Sequence, residues 1–144
     1  MSEVAAWRRA RERALALVFE ADLRGQTVAE VLARYPAPPE QFALQLANGA
    51  EHCRRRADAL LADHAHNWRV DRMPAVDRSI LRIGIYELLD RPDTSAAVII
   101  NEAVELAKRY SSDEAPSFIN GVLAAVASEL EDAREAGGEA TIRS

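Results

Sequence analysis

The sequence has one cysteine and no long apolar run, and each shortage excludes a class of protein. A single thiol, Cys53, forms no disulfide within the chain and offers no metal-ligand spacing, so we expect a reducing, cytoplasmic location. No apolar run approaches the roughly 20 residues that cross a bilayer, and no apolar export signal is recognisable at the start. We therefore expect neither export nor membrane insertion.

Glycine, proline and aromatic residues are also scarce. The 144 residues include 6 Gly and 6 Pro, and aromatic residues make up 6%. Hydrophobic residues reach 49% and charged residues 28%, which is typical of a folded globular chain. Alanine and leucine dominate over β-branched residues and favour helix, because they lose little side-chain freedom there. With no alternating strand pattern and no internal repeat, the composition predicts an all-α domain.

The common signatures of catalysis are missing as well. The sequence contains no Gly-rich phosphate loop, no Gly-x-Ser-x-Gly elbow and no His-Glu-x-x-His pair. Cys53 and His64 lie eleven positions apart in one helical pattern, about 16 Å along the axis and too far for contact within that helix. We interpret Cys53 as a core residue, and His52, His64 and His66 as partly exposed helix residues. Neither catalysis, a cofactor nor a metal is expected.

The first third of the chain predicts two helices. Apolar residues recur every three or four positions over residues 3–23, and Gly25 is placed to end that helix. Thr27 followed by Glu30 is typical of a capping box, which predicts a short helix ending before Pro36.

The longest apolar stripe covers residues 42–68, and Asn48-Gly49 interrupts it, so we predict a kink or a break there. Pro74 precedes a segment, residues 80–89, that is apolar on nearly every side and belongs in the middle of a bundle. Two further amphipathic helices are predicted at residues 99–110 and 119–130.

These patterns predict a single compact domain of about six to seven helices over residues 1–131. Its helices fall into two small bundles, at about residues 3–69 and 74–131. Beyond about Asp132 the apolar period is lost and Gly137-Gly138 follows. We therefore predict a frayed or disordered tail at residues 132–144.

The net charge of −5 argues against binding nucleic acid through overall charge alone. Arginines nevertheless gather locally, at Arg54–Arg56 and again beside Trp7 near the start of the chain. Cations next to an aromatic ring are typical of RNA binding, because phosphates pair with the charge and bases stack on the ring. The alternatives are an ordinary solvated face and a Trp7 that packs in the core.

Three motifs in the second half carry a resemblance to a known family. They are DRSILRIGIYELL (Asp77–Leu89), INEAVELAKRY (Ile100–Tyr110) and FINGVL (Phe118–Leu123), in this order and separated by short loops. Together with the Arg-rich opening ARER (Ala10–Arg13), they resemble the NusB family of transcription antitermination factors over roughly residues 8–130. Between Gln26 and Arg72 the resemblance depends only on helical pattern and length. It implies an all-helical, non-catalytic protein of two small bundles.

The resemblance also implies partners. The family binds the boxA element of nascent ribosomal RNA together with the small-subunit ribosomal protein NusE, and the complex, with other Nus factors, lets RNA polymerase read through terminators. The positions that match the RNA surface are Arg8, Arg9, Arg11, Lys108, Arg109, Glu114, Ser117 and Phe118. Those that match the NusE face are Asp77, Arg78, Tyr86 and Glu87. Two alternatives stay open: Phe118 as a core anchor, and the second set as residues buried within their own bundle.

Two departures from the family pattern concern RNA affinity. Trp7 stands where the family often continues its basic run, and the turn at Ser111–Glu114 ends in acidic residues. We therefore expect weak RNA binding by the chain alone, with a partner completing the basic surface. Two other functions stay open: an accessory domain related to ribosomal RNA methyltransferases, for which the sequence lacks a Gly-rich cofactor loop, and a homodimeric interaction scaffold.

Overall fold

The computed structural model describes the backbone of residues 2–65 and 69–143, and side chains as far as Gly137. Within these ranges the chain has seven α-helices, one short 3-10 helix at Val70–Arg72 and no strand. The predicted all-α class and helix number are confirmed. His66 and Trp68 lie outside the described residues. The helices are α1 (Glu3–Arg24), α2 (Val28–Leu32), α3 (Gln41–His52), α4 (Arg54–His64), α5 (Ala75–Asp90), α6 (Ala96–Tyr110) and α7 (Ala115–Arg143).

Local sequence signals end α1 and begin α2 as predicted. Gly25 follows α1 with φ 63°, a left-handed conformation that glycine adopts without steric cost. The Thr27 hydroxyl accepts a hydrogen bond from the Glu30 backbone N–H at 3.1 Å, and the Glu30 carboxylate accepts one from the Thr27 N–H at 3.1 Å. This is the reciprocal capping box that the sequence indicates. Chain direction is thus set locally at this corner.

The break in the long third helical pattern lies at Cys53, and the prediction of a break at Asn48-Gly49 is wrong. α3 ends at His52 and α4 begins at Arg54. Gly49 lies within α3, and the Tyr86 ring of α5 packs against it; a Cβ atom there would lie 2.2 Å from two ring carbons. This glycine therefore permits close approach of two helices instead of interrupting one.

α5 is the central helix, as its apolar sequence predicts. It contacts α1, α3, α4, α6 and α7, and every residue from Ser79 to Leu88 is buried. One continuous hydrophobic core joins side chains of both predicted bundles around it. The division into bundles at residues 3–69 and 74–131 stays a prediction.

α7 continues past the predicted domain boundary at residue 131 and extends to Arg143. The Arg134 guanidinium donates a hydrogen bond to the Leu88 carbonyl at 2.7 Å, which ties the early part of the predicted tail to α5. The helix therefore does not end where its apolar stripe ends. Among the described helices, none is long and apolar enough to cross a membrane.

Candidate nucleic-acid interface

A groove of about 640 Å³ runs between the start of α1 and the end of α6. It brings together two basic segments that are about 100 residues apart in sequence. Both helices present their cationic side chains to it because their apolar stripes face the core. The basic residues that line it with exposed side chains are Arg8, Arg9, Lys108 and Arg109.

Carboxylates of the same chain lie among these cations. Arg8 pairs with Glu102 at 3.3 Å, and Lys108 pairs with Glu105 at 3.2 Å. Arg109 pairs with Glu12, whose negative charge is the main reason that the pKa of Arg109 rises above its ordinary value. A phosphate entering the groove therefore competes with a carboxylate at each of these three cations.

Arg11 was predicted to bind RNA, but the structure buries its side chain against α5. Its residue surface is only 2% exposed. Its guanidinium donates two hydrogen bonds to Glu87 of α5, at 3.2 and 2.8 Å. The helical period had contained the signal, because position 11 falls between Trp7 and Ala14 on the stripe that faces the core. Arg11 joins α1 to α5.

The residues of the predicted partner face, Asp77, Arg78, Tyr86 and Glu87, make contacts within this chain. Asp77 is buried and accepts a hydrogen bond from the Ser111 hydroxyl, and Tyr86 packs on α3 as described above. Arg78 donates to Asp22 at 2.5 Å and to two backbone carbonyls. Asp77, Tyr86 and Glu87 are buried and Arg78 is half-buried, so these residues offer little exposed surface to a partner. The alternative interpretation, burial within the bundle, is the one that the structure supports.

An exposed apolar groove of about 510 Å³ lies next to that segment, at the start of α5. Phe19 projects from α1, Val76 from α5 and Tyr110 from the end of α6, where the residue is 48% exposed. The sequence did not indicate this groove because its residues come from three helices. A partial signal was present in Leu15 and Phe19, which are spaced four apart on α1. The lining residues are Glu12, Leu15, Ala16, Phe19, Ala75, Val76 and Tyr110.

Three other predicted RNA-binding residues lie where α6 turns into α7. Glu114 and Ser117 are exposed, whereas Phe118 is half-buried and packs against the hydrophobic core. None of the three is among the residues that line the α1–α6 groove. The structure therefore brings Arg8 and Arg9 together with Lys108 and Arg109, and places this turn beyond the end of α6.

A buried ionic cluster fixes the other end of α1. Arg82 donates to both Asp58 oxygens at 2.8 and 2.9 Å and to Asp22 at 3.2 Å. Burial opposes ionisation of Asp22, but the hydrogen bond and charge of Arg78, aided by Arg82, outweigh burial and hold its pKa below the ordinary value. This cluster joins α1, α4 and α5, and the sequence gives no sign of it.

The candidates for catalytic chemistry take structural positions. Burial, followed by the charge of Asp90, raises the pKa of Cys53 to about 11, which keeps its thiol protonated at neutral pH. His64 contacts Glu129 of α7 at 2.9 Å. In the part of the chain that the structure describes, no group of three or more His, Cys, Asp or Glu residues has the arrangement of a metal site.

A helical bundle that presents a basic groove beside an apolar groove belongs to the class of macromolecule-binding proteins. Comparison with known proteins identifies which kind. The sequence pattern of the NusB family matches residues 8–128. Transcription antitermination protein NusB of Streptomyces griseus is 47% identical over 131 residues, covering 84% of this chain and 91% of that protein. The Thermobifida fusca NusB is 48% identical over 119 residues, covering 80% and 84%.

Solved structures agree with the sequence comparison. T. maritima NusB superposes with a TM-score of 0.77 at 29% identity, covering 85% of this chain and 91% of that one. A structure of antitermination factors NusB and NusE in complex with double-stranded RNA gives 0.72 at 26% identity, covering 85% and 96%. The chain belongs to the NusB family of non-catalytic transcription antitermination factors.

Proposed function

We propose that this chain binds boxA-type RNA of nascent ribosomal transcripts in the α1–α6 groove, as part of an antitermination complex with NusE. The observation that carries the proposal is the meeting of Arg8 and Arg9 with Lys108 and Arg109 in one groove. Guanidinium and ammonium groups pair with phosphates, and their clustering on one face is the electrostatic footprint of a nucleic-acid surface. One solved structure similar to this chain contains NusB and NusE with RNA.

The turn between α6 and α7 extends this surface in the proposal. Glu114 and Ser117 are exposed there, and their oxygens accept hydrogen bonds from base edges that an unpaired RNA strand displays. Phe118 anchors the turn to the core, and the exposed part of its ring offers a further contact with a base. Phosphate contacts thus come from α1 and α6, while base contacts come from the turn.

The carboxylates of the groove explain why a partner is needed. Glu12, Glu102 and Glu105 already neutralise three of the cations. RNA binding by the chain alone therefore gains little net charge attraction and is expected to be weak. A basic partner that lies beside the groove would supply the missing positive charge.

The apolar groove at Phe19, Val76 and Tyr110 is the surface we propose for NusE. An apolar depression next to polar groups is the usual centre of a protein interface. It shares Glu12 with the RNA groove, so a protein bound here lies beside the RNA. In this proposed role the complex acts on transcribing RNA polymerase in the cytoplasm, together with other Nus factors.

Titration of labelled boxA-like RNA into the chain, with and without NusE, tests the RNA function. We expect NusE to strengthen binding, and the boxA-like RNA to bind tighter than a scrambled RNA of the same composition. Equal affinity for the two RNAs in the presence of NusE would refute boxA recognition by this protein.

Substitution in the apolar groove tests the partner surface separately. Phe19→Ser removes an aromatic ring that lies outside the hydrophobic core, and we expect it to weaken NusE binding at least about tenfold. Val98→Ser is the matched control, because Val98 is an exposed apolar residue on α6 that does not line this groove. Calorimetry that gives the same NusE affinity for both variants would place the partner elsewhere.

A further inference from the structure

Trp7 lies in the first turns of α1 with 38% of its surface exposed. Its ring centroid is 6.0 Å from that of Phe42 on α3, at an interplanar angle of 51°. The guanidinium carbon of Arg91 lies 5.9 Å from the same indole centroid. One part of the indole is therefore held by the chain while the rest faces solvent, which restricts its motion without burying it.

The residues beneath Trp7 form a cationic aromatic layer. Arg91 lies 4.6 Å from the Phe42 ring centroid, and Arg11 lies 5.5 Å from it. The Nη1 atom of Arg91 is buried without a hydrogen-bond partner and is 3.8 Å from a Glu87 oxygen. Both Glu87 oxygens already accept hydrogen bonds from Arg11. Trp7 thus rests on the Phe42 ring and the Arg91 guanidinium, outside the aliphatic core, and Arg11 contacts Phe42 in turn.

Trp7 is not among the residues that line the RNA groove, but the next two residues along α1 are its exposed arginines, Arg8 and Arg9. A ring that contacts one guanidinium and has two exposed arginines next to it in sequence does not favour a purely apolar partner, because docking would strip water from the charges. It does fit a nucleotide, whose base stacks on the indole while its phosphate pairs with a neighbouring guanidinium.

We propose that Trp7 is a stacking platform for one base of the RNA that binds in the α1–α6 groove. This inference rests on the proposed function and adds a base contact at a position where the sequence has an aromatic residue in place of a further cation. The chain compensates in this way for the charge that the groove carboxylates neutralise. Stacking tolerates any base, so the platform strengthens binding and sets the position of the strand.

Affinity measurements on Trp7→Leu and Trp7→Phe test the platform. With NusE present, we expect Trp7→Leu to weaken binding of the boxA-like RNA by about five- to a hundred-fold, the range for loss of one stacked base. Trp7→Phe keeps a ring and should recover most of that loss. The salt dependence should stay unchanged in both, because no phosphate contact is removed. Tyr35→Leu is the matched control, since Tyr35 is a 37% exposed aromatic residue on the loop after α2.

Tryptophan fluorescence measures the contact between Trp7 and a base directly, and it does not require that Trp7→Leu folds stably. The chain has two tryptophans, so Trp7→Phe leaves only Trp68. We expect RNA to quench the emission of the wild-type protein and to leave that of Trp7→Phe nearly unchanged. RNAs with a single abasic nucleotide, placed at each position in turn, should identify one base. Its removal should weaken RNA binding by the wild-type protein but not RNA binding by Trp7→Leu.

The possible results separate this inference from the proposed function. In one outcome RNA binds with NusE present, yet quenches wild-type protein and Trp7→Phe equally and binds Trp7→Leu as tightly as wild-type protein. That result overturns the stacking platform and leaves the proposed RNA groove unaffected. A loss in Trp7→Leu of NusE affinity, with RNA quenching absent, would assign Trp7 to the protein partner and also overturn it. Absence of RNA binding in every condition overturns both proposals.

Discussion

Burial divides the arginines of this chain into two groups with different roles. Arg8 and Arg9 are exposed beside the groove, while Arg11, two positions further, is buried against Glu87. Arg78 and Arg82 are likewise turned inward, where they share Asp22. Removing one partner of a buried ion pair strongly destabilises the fold, because the remaining charge is left without compensation.

Asp22→Asn tests the ionic cluster at the end of α1. We expect a loss of about 3 kcal/mol in the free energy of unfolding, since Arg78 and Arg82 each lose a carboxylate partner. Urea denaturation measures it. Asp93→Asn is the control, because Asp93 is exposed in the loop before α6; equal stability of the two variants would show that the cluster contributes nothing.

The stability lost in Asp22→Asn should depend on pH. The folded pKa of Asp22 is below its ordinary value of 3.8, so its stabilisation is complete above that pH. It is lost as the pH falls through the lower folded pKa. The stability difference between wild-type protein and Asp22→Asn should therefore shrink on acidification below about pH 4. A difference that grows in that range contradicts the assignment.

Glu12→Gln tests the competition between carboxylates and phosphates in the groove. The change releases Arg109 from its ion pair, so RNA affinity in the presence of NusE should rise about two- to five-fold, as expected from removing one exposed pair. Glu20→Gln makes the same charge change on α1, outside the groove. If both variants bind RNA with the same affinity, any rise comes from the change in net charge and not from the release of Arg109 in the groove.

At the scale of helices, the sequence predicts features that depend on neighbouring residues. Gly25 and the Thr27–Glu30 box are local signals, and the structure has both. The predicted position of the break between α3 and α4 is wrong because Gly49 does not interrupt the helix. It makes room for the Tyr86 ring, which is 37 positions away in sequence. The apolar groove was missed for the same reason, since its walls come from three helices.

Gly49→Ala tests that close contact between α3 and α5. Alanine improves helix propensity, yet its Cβ would meet the Tyr86 ring at 2.2 Å, and we expect a net loss of about 2 kcal/mol from overpacking. Gly121→Ala is the matched control in α7, where nothing lies within 4 Å of the added Cβ. It should gain about 0.5–1 kcal/mol. Thermal denaturation in which Gly49→Ala also gains stability would contradict the contact.

At the scale of the whole molecule, α5 determines where both grooves lie. It occupies the centre, so α1 and α6 pack on it and leave their polar faces side by side. The sequence predicts the fold because apolar periods and the family motifs are linear features. It predicts less of the surface. Arg8, Arg9, Lys108 and Arg109 lie in one groove, and their RNA contacts stay a prediction, whereas Arg11 and the predicted partner residues of α5 pack against other helices of the chain.

The homodimeric scaffold is the remaining alternative at this scale. In that case a second copy would occupy the apolar groove at Phe19 and Tyr110. Sedimentation across concentrations should give a monomer that forms a one-to-one complex with NusE. A dimer that NusE does not dissociate, and that does not bind RNA, would favour the scaffold.

The most direct test of the groove is the salt dependence of RNA affinity for two double variants, measured with NusE present. Arg8→Ala with Arg9→Ala removes two cations from the groove, and Arg24→Ala with Arg34→Ala removes two exposed cations elsewhere. We predict that the first double variant binds boxA-like RNA more weakly and lowers the slope of log affinity against log salt by about 1.4, the value for two single-strand phosphate contacts. The second should behave like the wild-type protein. Equal slopes for the two variants would contradict RNA binding in the α1–α6 groove.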